Sequence, residues 1–354
     1  MNVVLTLCSA NYLAHAKTLG DSLRKYNPEF QFVIGLVDRW PAGLEASYSH
    51  PHEVIPVEEL GIPGFEDMAR RYKIVELNTA VKPFYMDYLY RRDPKVQHVI
   101  YLDPDILVFS SLSPVVEKLE HHPILLTPHS SVIGDAAQHL RVEKCMLQYG
   151  LYNLGFIGTA RAPTTSSFLH WWQIRLRDHC YADLQKGLFV DQKWMDVAKL
   201  FFDDIHIETD PGWNMGWYNL GERSLSMRDG HYVVNGQTPL LFFHFCRYKV
   251  NTPHLLTIVE NPIPLSDHPE LAPLFADYTQ RLMSNRHEFL STLECAFYSR
   301  PVSPPAPPRR RSRLRRVAAT LVRIQPTAVQ RCLLRLAWWI EENATAIVTR
   351  PKTD

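Results

Sequence analysis

The sequence lacks the patterns that mark several large classes of protein. Within its 354 residues, no apolar run reaches the roughly 18 residues that a membrane-spanning helix needs. Neither G-x-G-x-x-G nor G-x-x-x-x-G-K-[ST] occurs, which argues against dinucleotide-binding dehydrogenases and P-loop nucleotidases. The beginning, MNVVLTLCSANYL, has no basic stretch ahead of a long apolar one, so we expect no signal peptide.

Cysteine is sparse and scattered. The six cysteines include no C-x-x-C pair, which argues against a zinc ribbon or a disulfide scaffold. Such usage is typical of a reducing compartment. We therefore expect a cytoplasmic protein whose thiols are buried or inert.

The net charge of +1 conceals a strong asymmetry. From residue 300 onward, twelve Lys or Arg stand against three Asp or Glu, a balance of +9. The remaining 26 basic and 34 acidic residues give positions 1–299 a balance of −8. Five prolines within 301–308 favour an extended linker between these two parts.

The acidic part begins with alternating strand-type and helix-type patterns. In order, these are strands at 2–7 and 30–37 with a helix at 11–26 between them, then a helix at 79–90 and a strand ending before Asp103. Such alternation predicts a mostly parallel sheet with helices on both faces. Open sheets of this kind bind ligands at the carboxyl ends of their strands.

Two carboxylates interrupt the apolar run HVIYLDPDILVF, residues 98–109. Asp103 and Asp105 are separated only by Pro104. Acids so close together repel each other, and their burial is costly, so a cation is expected beside them. Carboxylate oxygens suit Mg²⁺ or Mn²⁺, which often bridge to diphosphate oxygens. The alternative, a solvated acidic triplet, does not account for the strand pattern on both sides.

Together with four further segments, YLDPDILVF resembles the DxD motif of metal-dependent glycosyltransferases with the GT-A fold. The segments are TAVKPFYMDYL (79–89), YNLGFIG (152–158), FVDQKWMD (189–196) and FFHF (242–245). Their order is similar to that of the retaining branch typified by glycosyltransferase family 8 and of related bacterial enzymes of surface-polysaccharide synthesis. The resemblance covers roughly residues 1–255 and implies an α/β GT-A fold with a mostly parallel central sheet flanked by helices.

The resemblance also implies a function. It implies a sugar transfer, with retention, from a nucleotide-diphosphate sugar to a saccharide or glycolipid acceptor in cell-surface polysaccharide synthesis. A UDP-sugar is the favoured donor, and Mn²⁺ or Mg²⁺ is the cofactor. The metal ligands that it implies are Asp103, Asp105 and His244.

Three basic residues are implied to neutralise the diphosphate. Lys82 lies on the helix before the DxD motif, and Arg247 and Lys249 follow His244. Cations beside a leaving diphosphate stabilise its developing charge. The sequence departs from the family here, because the family usually places glycine and then Lys-Pro after the histidine, whereas RYKVNTP follows in this chain.

The sugar is implied to meet Asn153, Asp191 and Gln192, polar residues within apolar or aromatic stretches. Two routes to retention remain open: front-face attack, with the leaving diphosphate taking the acceptor's proton, or double displacement with Asp191 as the nucleophile. The loop PGWNMGWYNLGER (211–223) carries aromatic residues that either pack on a sugar ring or belong to the core.

The nucleotide is implied to bind at the first strand-to-loop junction, LTLCSANYL. Tyr12 is expected to stack on the base, and Asp38 is expected to accept hydrogen bonds from base or ribose. The junction also offers further polar side chains, those of Thr6, Ser9 and Asn11.

We divide the chain into four parts. A catalytic domain at 1–255 is followed by a helical extension at 256–298, a Pro/Arg-rich linker at 299–312 and a basic amphipathic helical tail at 313–354. Arginines beside apolar residues at helical spacing, with two tryptophans, suit an anionic membrane surface, and we expect 309–340 to contact one. Packing of the tail onto the body or onto a partner is the alternative; no nucleic-acid partner is expected.

Two other functions compete with glycosyl transfer. A haloacid-dehalogenase-type phosphatase also combines a strand, a DxD motif and Mg²⁺, and FFDD (201–204) imitates its later acidic pair. That class requires Thr or Val where this chain has Leu107, and it explains neither DQ nor FFHF. The second competitor is a non-catalytic protein that binds a nucleotide sugar or scaffolds a complex.

Overall fold

The computed structural model describes residues 1–132, 137–258 and 262–297. These all belong to one unit, Met1–Ser299. The predicted linker (299–312) and amphipathic tail (313–354) lie outside the described residues.

The described chain alternates between helices and strands. The helices are α1 (Leu13–Tyr26), α2 (Phe65–Arg71), α3 (Ile74–Ala80), α4 (Lys82–Arg92), α5 (Ser113–Leu119), α6 (Ala137–Tyr149), α7 (Pro163–His179), α8 (Trp194–Ala198), α9 (Ala272–Ser284) and α10 (His287–Leu290). The longer strands are β1 (Asn2–Cys8), β2 (Gln31–Leu36), β3 (Glu53–Pro56), β4 (His98–Leu102), β5 (Ile106–Val108), β6 (Ile124–Pro128) and β7 (Tyr152–Ala160). Shorter strands follow: β8 (Ala182–Asp183), β9 (Leu188–Phe189), β10 (Ile205–Ile207), β11 (Met215–Gly216), β12 (Leu225–Arg228), β13 (His231–Val234), β14 (Thr238–Pro239), β15 (Phe242–His244), β16 (Leu255–Thr257) and β17 (Ile263–Pro264).

Seven strands form the central sheet, in the order β10-β6-β7-β4-β1-β2-β3. Only β7 runs antiparallel to its neighbours β4 and β6, and the other pairs are parallel. Successive residues of β1 point to opposite faces: Val3, Leu5 and Leu7 pack into one core with α3, α4 and α7, and Val4 and Cys8 into another with α1 and α5. The predicted α/β class, a mostly parallel sheet flanked by helices, is confirmed.

The helix predicted at 79–90 is two helices. α3 ends at Ala80, α4 begins at Lys82, and Pro83 occupies the first turn of α4. A proline has no N–H to donate to the preceding turn and fits best at the start of a helix. The chain therefore restarts its helix at Lys82, which directs this side chain into the interior.

A second, three-stranded sheet brings distant segments to the carboxyl end of β4. Its order is β11-β15-β5, with His244 paired to Ile106 on one side and Gly216 on the other. The Phe245 N–H donates to the carbonyl of Asp105 at 2.8 Å. FFHF therefore lies directly beside DPD although about 140 residues separate them in sequence.

Residues after β15 return to the start of the chain. The stretch 256–298, predicted as a helical extension, contains α9 and α10 and also the strand β17. Asn285, just after α9, donates to Thr18 of α1 at 2.8 Å, and the Ala296 N–H donates to Asp38 at 2.8 Å. The domain boundary at 255 stays a prediction. None of the helices in the described ranges is both long enough and apolar enough to cross a membrane.

Candidate functional site

Two carboxylates and one imidazole converge at the carboxyl end of β4. The imidazole Nε2 of His244 lies 3.1 Å from Asp105 Oδ1 and 3.7 Å from Asp103 Oδ2. Candidate ligand atoms of these three residues all lie within 4.8 Å of one another. The His244 side chain is only 3% exposed, whereas those of Asp103 and Asp105 are 29% and 20% exposed. The group is therefore open on the carboxylate side and closed on the histidine side.

A hydrogen-bond relay orients the imidazole. The Gly155 N–H donates to Asn153 Oδ1 at 3.0 Å, which identifies that atom as an acceptor. The His244 Nδ1 lies 3.2 Å from the same oxygen and must donate to it. Nε2 is then left without a proton in the neutral ring and faces the two carboxylates. Metal-binding histidines are commonly fixed in this way by a partner of the other ring nitrogen.

Gly155 has no side chain, and the imidazole ring of His244 lies where a Cβ atom would otherwise be. A Cβ atom at position 155 would lie 2.6 Å from His244 Nδ1 and 2.8 Å from Asn153 Oδ1, and it would also meet His244 Cε1. Any larger residue must therefore displace the imidazole, the amide or the strand. The Asn-x-Gly pattern is thus explained by a side chain that supports the histidine and a residue that makes room for it.

Electrostatics favour a cation between these side chains. Burial lowers the pKa of His244, but the negative charges of Asp105 and Cys246 and hydrogen bonds to these two groups together raise this pKa well above its ordinary value. Burial would likewise raise the pKa of Asp105, but His244 lowers it overall. The carboxylates thus demand a positive charge, which a divalent ion would supply in place of the proton. Two hard oxygen ligands and one oriented imidazole fit Mn²⁺ or Mg²⁺.

A buried ion pair lies next to this group. Lys82 is 1% exposed, and its Nζ lies 2.6 Å from Asp191 Oδ2 and donates to the Leu154 carbonyl at 2.9 Å. The ammonium also lies 4.0 Å from the centroid of the Tyr101 ring. In this structure its charge is buried and balanced by a protein carboxylate, and the role of Lys82 in neutralising a diphosphate stays a prediction.

The predicted sugar-contacting residues lie around β7, and much of their hydrogen bonding is internal. Asp191 is 2% exposed, and burial raises its pKa although Lys82 opposes this. Gln192 donates to the Tyr149 carbonyl at 3.0 Å and accepts from the Leu154 N–H at 3.3 Å. Asn153 uses its oxygen for the His244 relay. The Gln192 amide thus hydrogen-bonds to backbone at both of its ends, and the contacts of these three residues with sugar hydroxyls stay a prediction.

Asp38 and Ser9 at the nucleotide end hydrogen-bond to other parts of the chain. The Asp38 carboxylate is 1% exposed and accepts from the backbone N–H groups of Ala10, Arg39 and Ala296 at 2.8–2.9 Å. The Ser9 hydroxyl donates to the Val37 carbonyl at 3.3 Å. Backbone donors thus contact both carboxylate oxygens, and the contact of Asp38 with a base or ribose stays a prediction.

Thr6 stays a predicted nucleotide contact. It is fully buried within β1. Ser9 is also buried, and its hydroxyl accepts from Asn78 at 2.8 Å.

Tyr12 and Lys249 form the more open part of the nucleotide end. Lys249 Nζ donates to Tyr12 Oη at 3.2 Å, and the Tyr12 ring stacks on His15 at a centroid distance of 4.3 Å. Asn11 and Tyr12 are partly exposed, and Arg247 and Lys249 are exposed. Arg247 adopts a left-handed backbone conformation, with φ of 61°. These four residues stay predicted ligands of the donor.

The aromatic loop 211–223 mostly belongs to the core. Trp213 is 2% exposed and packs edge-on against Phe156 at 5.7 Å. Tyr218 is 5% exposed and donates to Asn214 Oδ1 at 2.9 Å, within 3.4 Å of His244 Nδ1. Trp217 alone among the three aromatics is partly exposed.

Sequence reasoning missed the residues that support the metal group. Gly155, Asn214 and Tyr218 surround the His244 relay, and Tyr101 donates to Asp103 Oδ1 at 2.6 Å. Tyr101 precedes Asp103 by two positions, and residues i and i+2 of a strand point to the same face. That spacing is a signal that could have identified Tyr101. Contacts of Asn214 and Tyr218 have no comparable local signal.

The chain is similar to several known proteins. It matches no protein-family model. The uncharacterized protein YfnF of Bacillus subtilis (strain 168) is 28% identical over 170 residues, which are 48% of this chain and 56% of that protein. The chain therefore matches about half the length of this curated relative.

Solved glycosyltransferase structures are also similar at low identity. The galactosyltransferase LgtC in complex with donor and acceptor sugar analogues is 14% identical, with a TM-score of 0.45 over 79% of this chain and 95% of that one. GlyE of Streptococcus pneumoniae TIGR4 is 14% identical, with a TM-score of 0.47 over 82% and 65%. The bifunctional glycosyltransferase WbbM is 13% identical, with a TM-score of 0.48 over 80% and 51%.

Proposed function

We propose that this chain is a metal-dependent, retaining glycosyltransferase that uses a nucleotide-diphosphate sugar, with a UDP-sugar favoured. The main support is the group formed by Asp103, Asp105 and His244 at the carboxyl end of β4, with the imidazole oriented by Asn153. A histidine prepared in this way, beside two accessible carboxylates, suits a ligand role better than a structural one.

Asp103, Asp105 and His244 would hold Mn²⁺ or Mg²⁺. When bound, the ion supplies positive charge that stabilises the negative charge developing on a leaving diphosphate. Lys249 and Arg247 are exposed side chains that follow His244 and add to that positive charge. Tyr12, held by Lys249, offers a ring on which the base stacks, and Asn11 offers an adjacent amide.

The contacts of Asp191 support front-face transfer over double displacement. A nucleophilic carboxylate needs access to the anomeric carbon, whereas Asp191 is 2% exposed and paired with Lys82 at 2.6 Å. In the front-face route the acceptor oxygen bonds to the anomeric carbon as the bond to the diphosphate oxygen breaks, and the acceptor's proton passes to the departing phosphate. Asp191 then fixes the sugar side of the site through its charge and position.

The acceptor and the cellular setting are further parts of the proposal. We infer a saccharide or glycolipid acceptor in cell-surface polysaccharide synthesis, in the cytoplasm. An anionic membrane surface would be contacted through residues 309–340, which lie outside the described residues.

The phosphatase alternative has weaker support. Its later acidic pair would be Asp203 and Asp204, which are exposed, and Asp204 accepts from Thr164 at 2.7 Å. Neither belongs to the cluster of candidate metal ligands found in the described ranges. A phosphatase also gives no role to the oriented His244.

Calorimetric titration of UDP and GDP, with and without Mn²⁺, tests the proposal. The wild type is compared with the double variant Asp103→Asn, Asp105→Asn and with the matched control Asp203→Asn, Asp204→Asn. We expect metal-dependent binding of UDP that survives in the control and is lost in the first variant. Binding of neither nucleotide, together with Mg²⁺-dependent phosphatase activity, would favour the alternative. Binding without turnover of any UDP-sugar would favour a non-catalytic binder.

A further inference from the structure

We propose that Tyr101 is a positioning residue that links the metal-binding carboxylate of Asp103 to the buried Lys82–Asp191 pair. Tyr101 lies on β4 and is 2% exposed. Its hydroxyl contacts the carboxylate of Asp103, and its ring face contacts the ammonium of Lys82. The inference has two halves: the hydroxyl contact with Asp103 (the metal half) and the ring contact with Lys82 (the ring half). Only the role of Asp191 rests on the proposed function, because metal binding requires no substrate.

The hydroxyl determines which oxygen of Asp103 faces the cation. Tyr101 Oη donates to Asp103 Oδ1 at 2.6 Å, and Oδ2 of the same carboxylate lies 3.7 Å from His244 Nε2. The hydrogen bond therefore occupies one oxygen and presents the other toward the remaining ligands. It also stops the carboxylate from rotating, which lowers the entropy lost when an ion binds.

The ring holds the ammonium of Lys82. This Nζ has a carboxylate partner at 2.6 Å in Asp191, a carbonyl partner at 2.9 Å in Leu154, and the Tyr101 ring centroid at 4.0 Å. A buried ammonium needs compensation for its lost hydration, and the electron-rich face of a tyrosine adds to that supplied by the two oxygen partners. The ring thus fixes Lys82 and, through it, Asp191.

The two contacts use separate atoms, so two substitutions separate them. Tyr101→Phe removes the hydroxyl and keeps the ring. Tyr101→Leu removes both. Tyr90→Phe is a matched control, because Tyr90 is also a buried tyrosine whose hydroxyl donates, here to the Thr159 carbonyl at 2.9 Å.

The first measurement is the affinity of the full chain for MnCl₂, followed by the electron paramagnetic resonance signal of free Mn²⁺, without nucleotide. We expect Tyr101→Phe to weaken binding by roughly 10- to 100-fold, the usual effect of removing a partner of a metal ligand. Tyr90→Phe should stay within about twofold of wild type, since its hydroxyl is bound to backbone away from the ligands. Equal Mn²⁺ affinity in Tyr101→Phe and wild type would overturn the metal half.

The second measurement is the NMR shift of the Lys82 side chain. An ammonium above a ring places its ε-methylene protons in the shielding region, so their signals should be shifted upfield in wild type and in Tyr101→Phe, and not in Tyr101→Leu. Thermal unfolding of each variant identifies a fold that is lost. Absence of the upfield shift in wild type would overturn the ring half.

The outcomes also separate this inference from the proposed function. If the wild type binds Mn²⁺ with an affinity that depends on Tyr101 but binds no nucleotide, the proposed glycosyltransferase function is refuted. The positioning role of Tyr101 is then retained. Wild type that binds no Mn²⁺ without nucleotide, but binds UDP in the presence of Mn²⁺, would overturn the metal half of this inference and leave the proposed function standing.

Discussion

Substituting Gly155 by alanine should disable the metal group without breaking the sheet. The added methyl would lie 2.6 Å from His244 Nδ1 and 2.8 Å from Asn153 Oδ1. Ordinary contacts of such a carbon begin near 3.4 Å, so the imidazole or the amide must move by somewhat less than about 1 Å. The backbone at position 155 is not in the left-handed region, so the damage comes from this collision alone.

The displacement acts on the geometry of metal binding. Nε2 of His244 is 3.1 Å from Asp105 Oδ1. A shift of this size changes the distance and direction of Nε2 relative to the two carboxylates. Loss of the support around one ligand typically weakens metal binding by roughly 10- to 100-fold. Overpacking of a buried position also costs about 1–3 kcal/mol of unfolding free energy.

Gly158→Ala on the same strand is the control. Its Cβ would meet its nearest neighbours, Leu119 and Leu125, at 3.5 Å, which is ordinary contact. Titration of Mn²⁺ and thermal unfolding of both variants form the assay. We expect Gly155→Ala to lose at least tenfold in affinity while Gly158→Ala does not. Equal affinity in the two variants would refute the idea that Gly155 makes room for a metal-binding histidine.

Three further predictions concern other parts of the fold. Asp38→Asn should lower the stability of the protein, because the amide replaces an oxygen that accepts backbone N–H groups near Cys295. The buried Cys295 should then react faster with a thiol reagent, which mass spectrometry measures. An unchanged reaction rate would contradict the structural role of Asp38. Burial lowers the pKa of His15 to about 3, below its value of 6.5 when unfolded. The unfolded state therefore binds the extra proton, and stability should fall as pH drops from 6.5 toward 3, by up to about 1.4 kcal/mol per pH unit. His15→Phe should reduce the pH dependence of the unfolding free energy, measured by urea unfolding. The same substitution at the exposed residue His170 should leave that dependence unchanged. Val190 precedes Asp191 with φ of 41°, so Val190→Gly should unfold at a higher temperature than Val190→Ala, the reverse of the usual order of these residues.

The fold and the convergence of the three candidate metal ligands could be predicted because their signals are local or follow the order of the resembling segments. Alternation of strand and helix patterns indicates a parallel sheet, and the carboxyl ends of such strands are where ligands bind. Asp103 and Asp105 stand at one of these ends within a single apolar run. His244 could be added only from the order of the resembling segments, since its pairing with β5 joins residues about 140 positions apart.

Asp38 and Lys82 share one physical feature that the sequence does not show in full. Each is a buried charge, and a buried charge must meet a partner. The sequence does not reveal whether that partner is a ligand or another part of the chain. For Asp38, one of the partners is the N–H of Ala296, which is 258 residues away, and for Lys82 it is Asp191.

The predicted site residues differ in how much of their bonding capacity the chain itself fills. A charged or polar group whose bonding capacity is filled internally gains little from a ligand and would have to break existing bonds to bind one. Asp103 and Asp105 differ from Asp38 in this respect, because their side chains are partly exposed and the strongest neighbour of Asp105 is an imidazole whose positive charge a cation can replace. A charged side chain at the rim of a parallel sheet therefore indicates a ligand site most clearly when part of its bonding capacity is still accessible. In this chain the carboxylates at the end of β4 are partly exposed, whereas Asp38 at the end of β2 is buried.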